Sequence, residues 1–221
     1  VGSYIFIAGE VTVDSKELID FEKIARETAI GIGYSDHSLG MDATDHQKCQ
    51  VHVNITQQSP EISQGVDEGK GLHQEQGAGD QGLMFGYASD ETESFPELSG
   101  SFMPLPAALA QRLTSKMTKS MKDGLLPWVR PDSKSQVTIE YGETGKIIRA
   151  HTIVIAVQHD DLAGQKFEGD INQEHDYIFE QIMTHIISTT IPEQLIDESS
   201  KIIINGTGRF VLGGPHADAG L

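Results

Sequence analysis

Apolar positions along the 221 residues switch between two periods, and the switches predict the elements. Residues 4–13 (YIFIAGEVTV) are apolar and β-branched, which predicts a strand. Asp14 or Ser15 then offers a cap for a helix carrying Leu18, Ile19, Ile24 and Ala25, stopped near Gly31 and Gly33. Alternation returns over residues 49–55, with Cys49, Val51, Val53 and Ile55 on one side and His52 on the other. Residues 58–81, rich in Gly, Gln and Ser, predict a long loop, a segment that in a compact domain is more often functional than idle. Residues 83–87 (LMFGY) predict a strand fed by that loop.

Pro104 and Pro106 open a helix running to about Lys122, with Leu109, Leu113, Met117 and Met121 on one face and Gly124 at its end. Residues 136–141 and 146–158 flank a turn at 142–145 and predict a hairpin. Residues 172–189 have helical spacing through Ile178, Ile182, His185 and Ile186 and stop before Pro192; residues 201–205 predict a last strand. Residues 82–205 thus spell strand, helix, strand, strand, helix, strand, an α+β unit with its helices on one face of a sheet. The first stretch supplies strand, helix, strand, half of a similar unit. The chain starts without Met, in mid-strand, and stops in a Gly-rich loop. Processing is the plain explanation; the expectation here is the middle of a longer protein.

Composition narrows the function. Hydrophobic residues make up 38% and charged residues 22%, ordinary for a soluble protein, and no apolar run is long enough to cross a bilayer. No signal peptide is visible at the start, and the single cysteine excludes an internal disulfide framework and fits a reducing cytosol. The alternation around Cys49 marks it as a core thiol rather than a nucleophile. A formal net charge of −17 and the lack of a basic stripe exclude nucleic acid as a partner. A small anion such as ATP stays admissible, because a few focused cations and backbone N–H groups outweigh a screened distant field.

The chemistry gathers at strand ends. Residues 77–87 (GAGDQGLMFGY) place three glycines around Asp80 and Gln81, so the backbone can approach a ligand closely. Gly77, Gly79 and Gly82 fit G-x-G-x-x-G, but they precede an apolar strand pattern instead of opening a helix, which removes the dinucleotide reading. Residues 65–70 (GVDEGK) fall one residue short of a phosphate loop. Gln58 stands just past a strand end; residues 130–134 (RPDSK) gather two cations and Asp132 at a proline turn; residues 205–210 (NGTGRF) offer Arg209 and Phe210; and Asp218 sits in a further glycine-rich loop. Each alone also reads as an ordinary turn. Jointly they call for a nucleotide with an extended polyphosphate: a guanidinium chelates phosphate, an ammonium acts as a point charge, and an aromatic ring stacks on adenine. The nine histidines show no zinc spacing, and no G-x-S-x-G elbow is present.

These stretches, in this order, resemble the methionine adenosyltransferase family, the S-adenosylmethionine synthetases. GAGDQGLMFGY looks like its most specific signature, joined by QSPEISQGVD, MPLPAALAQRL, LPWVRPDSKSQVTIEY, Gln158 with His159, and INGTGRFVLGGPHADAGL. The resemblance implies a pseudo-threefold α+β fold of β-α-β-β-α-β repeats: residues 1–65 part of an N-terminal domain, 66–81 an active-site loop, 82–211 the central domain and 212–221 the start of a C-terminal domain. It implies a cytoplasmic homodimer or homotetramer with active sites between subunits, and Mg²⁺ and K⁺ as cofactors. It makes Gln58 and Asp218 contacts to L-methionine. Asp80, Asp132, Lys134, Arg209, Phe210 and Asp218 become contacts to ATP, with Lys134 the catalytic cation at the triphosphate.

The implied reaction is attack of the methionine sulfur on C5′ of ATP, expelling triphosphate, which is then hydrolysed to pyrophosphate and phosphate. The family's GHPDK motif, its TGRK segment and its GGGAFSGKD loop do not occur in these residues, so no metal ligand is assigned, and Gly206 stands where the family usually has proline. The 221 residues alone are therefore expected to turn over poorly. The competing expectation is a non-catalytic nucleotide-binding or interaction subunit; an intact mass matching these residues alone would favour it.

Overall fold

The computed structural model describes residues 2–13 and 19–218, an α+β chain in two units: residues 1–37 with 41–87, and 38–40 with 88–221. In the first unit, β1 (Tyr4–Val11) lies parallel to a later strand, and helix α1 (Phe21–Ile32) follows it. The cap of α1 is Asp20, whose carboxylate accepts the Lys23 N–H at 2.9 Å. Asp14, Ser15 and Leu18, expected to open this helix, lie outside the described residues, and Ile19 precedes the helix. Gly33, at φ 129°, ends it. Strands β2 (Ser35–Asp36) and β3 (Met41–Asp42) form a short antiparallel pair, and β4 (Gln50–Gln57) completes the parallel pairing, Ile5 opposite Val51 and Ile7 opposite Val53.

Residues 58–81 depart from the loop expectation only at 60–66, and residues 67–81 carry no helix or strand. Ser59 caps a short helix, α2 (Pro60–Val66), with Pro60 in its first turn, where a missing N–H costs nothing. The buried core of this unit is small: Ala29, Met41, Ala43 and Cys49. Arg26 is buried with it and donates to the Ala43 and Cys49 carbonyls at 3.2 and 2.9 Å and to Glu22 at 2.8 Å. Cys49 is fully buried, and that burial pushes its thiol pKa up, as the core reading anticipates.

The second unit carries the main core. Helix α3 (Leu105–Lys122) buries Leu105, Ala108, Leu109, Leu113, Met117 and Ser120, one face at three- and four-residue spacing. Glu91 accepts the Leu105 N–H at 2.8 Å, a carboxylate at the positive end of the helix. Strands β5 (Val129–Tyr141) and β6 (Ile147–His159) form the expected hairpin, longer than the pattern indicated. Helix α4 (Leu162–Lys166) starts on the Asp161 cap and α5 (Ile171–Ile182) on the Asp170 cap, with a wider π turn over Met183–Ile187. Strand β7 (Lys201–Ile204) lies parallel to β6, giving the order β5-β6-β7.

Val137 and Ile139 of β5, Ile153, Ile155 and Val157 of β6 and Ile204 of β7 pack with the buried sides of α3 and α5 in one cluster. Both helices therefore cover one sheet face. Residues 83–87 do not form the strand that should open this repeat: they have no ladder partner, and Leu83, Met84, Phe85 and Tyr87 are exposed. Strand propensity is not sufficient without a neighbour to take the backbone hydrogen bonds. The described order is α3, β5, β6, α4, α5, β7. No helix among the described residues is long and apolar enough to cross a membrane.

Candidate functional site

Beyond β7 the chain is fixed by its own side chains. Asn205, at φ 44°, turns its amide onto β6: the amide NH₂ donates to the Val157 carbonyl at 3.1 Å and its oxygen accepts the Val157 N–H at 2.8 Å. An asparagine side chain thus imitates one more ladder residue while its backbone turns away. The Gly208 N–H closes the turn on the Asn205 carbonyl at 2.7 Å, and Arg209 and Phe210 follow.

Phe210 is held by both polar atoms of its backbone. Its carbonyl accepts the His159 N–H at 2.9 Å, and its N–H donates to His159 Nε2 at 3.1 Å. A backbone N–H can only donate, so Nε2 is the acceptor, and the proton sits on Nδ1, which donates to the Asp160 carbonyl at 2.7 Å. His159 is thereby a neutral, buried imidazole of defined tautomer.

Arg209 is held by two carboxylates. Its Nε donates to Glu174 at 2.8 Å and one terminal nitrogen bonds Asp161. Glu174, in the first turn of α5, is only 1% exposed, and its second oxygen accepts the Ala163 N–H at 2.8 Å. Burial pushes the Glu174 pKa up, but the bonds from Arg209 and the Ala163 N–H outweigh it and hold the carboxyl below its ordinary range. The same ion pair raises the Arg209 pKa. The chelating edge expected to grip phosphate is therefore spent on protein carboxylates, and one terminal nitrogen has no bond to a described residue.

A bulge builds the next part. The β5–β6 register breaks between Val129 and Ser133, where Pro131 cannot donate to a ladder. Arg130 there takes Asp160 with two nitrogens, while Asp132 is released: its N–H donates to the Gln158 side chain at 3.4 Å and its carboxylate accepts the Gly214 N–H at 2.9 Å. Buried Gln158 also donates to the Val211 carbonyl at 3.2 Å. A Cβ on Gly213 would lie 2.8 Å from Gln158 Cδ and 2.9 Å from Phe210 Cε2, so any other residue there would displace those side chains. Lys134 pairs with Ala156 on the sheet face away from the helices; it is exposed and makes no bond or ion pair to a described residue. Asp218 is exposed, with its N–H on the Gly214 carbonyl at 3.4 Å.

Residues 158–161 therefore tie Asp132, Arg209 and Phe210 into one network, with Lys134 two residues from Asp132. Gln58 and Asp80 belong to the first unit. Gln58 sits past the end of β4 as expected; its N–H donates to the Val11 carbonyl at 3.0 Å and its amide oxygen accepts the Thr12 hydroxyl at 3.2 Å. Asp80 is exposed and accepts the Gln81 N–H at 2.7 Å. The adjoining glycines serve close packing: a Cβ on Gly77 would lie 2.1 Å from the Gly65 carbonyl oxygen, and Gly79, at φ 75°, faces Val66.

Glu174, Asp161 and the Arg130–Asp160 pair escaped the sequence reading. Asp161 had a visible signal as a helix cap, whereas Glu174 resembles any exposed glutamate until Arg209 is brought to it. A family model described as S-adenosylmethionine synthetase, central domain, matches residues 75–210, a span holding Asp80, Asp132, Lys134, Arg209 and Phe210. The match covers more than half of the chain. The signature glycines Gly77, Gly79 and Gly82 thus fall in the matched region, Gln58 and Asp218 fall outside it, and the chain belongs to the S-adenosylmethionine synthetase family.

Proposed function

We propose that the full-length protein is a methionine adenosyltransferase, joining ATP and L-methionine into S-adenosylmethionine and hydrolysing the released triphosphate. The observation that carries this reading is the network of Gln158, His159, Asp132, Arg209 and Phe210 beside the exposed ammonium of Lys134, which has no partner among the described residues. Phe210, clamped by its backbone, offers a fixed ring for adenine. Lys134 offers its charge to the departing triphosphate, and Asp132, Asp80 and Asp218 orient the nucleotide. Gln58 and Asp218 hold methionine.

A neutral thioether needs no base to attack C5′. What it needs is alignment with that carbon and a stabilised leaving chain, which these residues supply by position and electrostatics. On this reading residues 1–65, 66–81, 82–211 and 212–221 divide among three related domains, active sites lie between subunits of a homodimer or homotetramer, and the enzyme works in the cytoplasm. Mg²⁺ and K⁺ come with the reaction in this family. Among the described residues, however, no group of three or more His, Cys, Asp or Glu could hold a metal ion. Asp132 and Glu174 accept backbone N–H groups, and Arg209 occupies both Glu174 and Asp161. These residues do not fit a divalent cation, and no step is assigned to one.

The test is to incubate full-length protein with ATP, methionine, Mg²⁺ and K⁺ and quantify S-adenosylmethionine, pyrophosphate and phosphate. Equal yields of all three are expected. ATP binding without product would overturn the enzyme reading in favour of a non-catalytic nucleotide-binding subunit.

A further inference from the structure

Glu174 is a buried carboxylate placed under the segment proposed to hold adenine, with no substrate-facing atom of its own. Four observations set its task. Its two oxygens are fully assigned, one to the Ala163 N–H and one to Arg209 Nε. Asp161, the cap of α4, takes a second nitrogen of the same guanidinium, so two carboxylates fix its plane. His159 Nδ1 lies 3.9 Å from Glu174, and the same ring accepts the Phe210 N–H through Nε2. The Phe210 ring and the Gln158 side chain both lie against Gly213, where a Cβ would come within 2.9 Å of Phe210 Cε2 and 2.8 Å of Gln158 Cδ.

Arg209 is thus gripped by its side chain and Phe210 by its backbone, from one buried patch. A planar guanidinium locked at two donors loses little further freedom when a ligand arrives, so the geometry of the next residue is preset. Arg209 is exposed, yet both donors of that edge are already bonded to protein carboxylates. We infer that Glu174 is a positioning residue: acting through Arg209, and helped by Asp161 and His159, it fixes the Phe210 ring for the adenine of ATP and supports nucleotide recognition rather than the chemical step. The inference rests on the reading of Phe210 as the adenine contact.

The experiment is steady-state S-adenosylmethionine formation by full-length protein, with kcat and the KM of each substrate measured for Glu174→Gln, Arg209→Met, the double variant and Phe210→Ala. Glu174→Gln keeps the shape and the Ala163 bond but removes the charge. Its KM for ATP is expected to rise about fivefold or more, with kcat and the methionine KM within about twofold, because adenine binding is shared by ground and transition states. The double variant should be no worse than Arg209→Met, since one residue acts through the other.

Additive effects, or an unchanged ATP KM in Glu174→Gln while Phe210→Ala raises it, would overturn the positioning role and leave the functional reading standing. An unchanged ATP KM in Phe210→Ala would instead remove the adenine contact, and this inference with it. Should Glu174→Gln fail to fold, Asp161→Asn decides: asparagine still caps α4, and the expected result is a rise of about twofold to threefold in ATP KM, with no rise overturning the role.

Discussion

The β1–β4 pair of the first unit and the β5-β6-β7 sheet of the second are built from similar residues and end differently. In the second unit β6 runs between β5 and β7, and Ile153, Ile155 and Val157 are fully buried beneath α3 and α5. In the first unit β1 and β4 pair over eight registered positions, yet neither contains a fully buried residue, and Phe6 is 67% exposed, stacked on His52. Helix α1 likewise leaves Ile24, Ile30 and Ile32 exposed. Apolar content therefore does not set stability by itself. The gain follows area removed from water, which needs a second layer lying on the strands. The first unit leans on polar ties instead, above all buried Arg26 reaching two backbone carbonyls.

The sharpest way to break this contrast is truncation on both sides. Leu109→Ala should cost about 2–5 kcal/mol in denaturant unfolding, because it empties a fully buried site, whereas Ile24→Ala should stay within about 0.5 kcal/mol. A cost for Ile24→Ala near that of Leu109→Ala would mean that α1 is covered in the intact protein and the contrast is false.

The same division extends to chemistry, since Lys134 lies in the second unit and Gln58 in the first. Lys134→Met should lower kcat about 100-fold with little change in methionine KM, the pattern of a charge needed by the leaving group. Gln58→Ala should raise methionine KM about tenfold with kcat nearly kept. Reversed patterns in these kinetics would exchange the two roles.

Acid stability separates the units more finely. The folded pKa of Glu174 lies below its ordinary 4.5, so its contribution is complete above that value and lost as pH falls through the lowered folded one. Glu174→Gln should be less stable than the parent at neutral pH, and the gap should close in acid. The Asp42 pKa in the first unit is lowered too, mainly by the Thr44 hydroxyl, with exposed Lys48 adding less. Asp42→Asn should show the same closure with a smaller starting gap; a larger gap in denaturant titrations across pH would reverse the ranking.

The smallest effect concerns Gly206. Asn205 before it is left-handed, a conformation that a following proline disfavours, and a Cβ would lie 3.0 Å from Ile203 Cγ2. Gly206→Pro should therefore destabilise by about 1 kcal/mol, although proline is the residue the family resemblance leads one to expect there. A raised melting temperature would show that this turn adapts.

The legible parts of the fold were those where one layer meets another. The faces of α3 and α5 and the β5–β6 hairpin could be read from periodicity, because burial on one side imposes it. Residues 83–87 misled for the complementary reason: their propensity is strand-like, but a strand also requires a neighbour, which propensity does not encode. Helix α2 announced itself only by Ser59 and Pro60, signals outweighed by the surrounding Gly and Gln. In the site, Asp132, Arg209 and Phe210 stood out as turn residues of the right chemistry. Glu174 did not, because its partner Arg209 lies 35 residues further along.

The most direct test of the account is the fate of ATP labelled with ¹³C at C5′, followed by NMR during turnover of the full-length protein with methionine. Direct attack of sulfur on that carbon predicts that the label moves into a carbon bonded to a sulfonium, matched by released pyrophosphate and phosphate. Label found in ADP or AMP, with no carbon–sulfur bond formed, would contradict it.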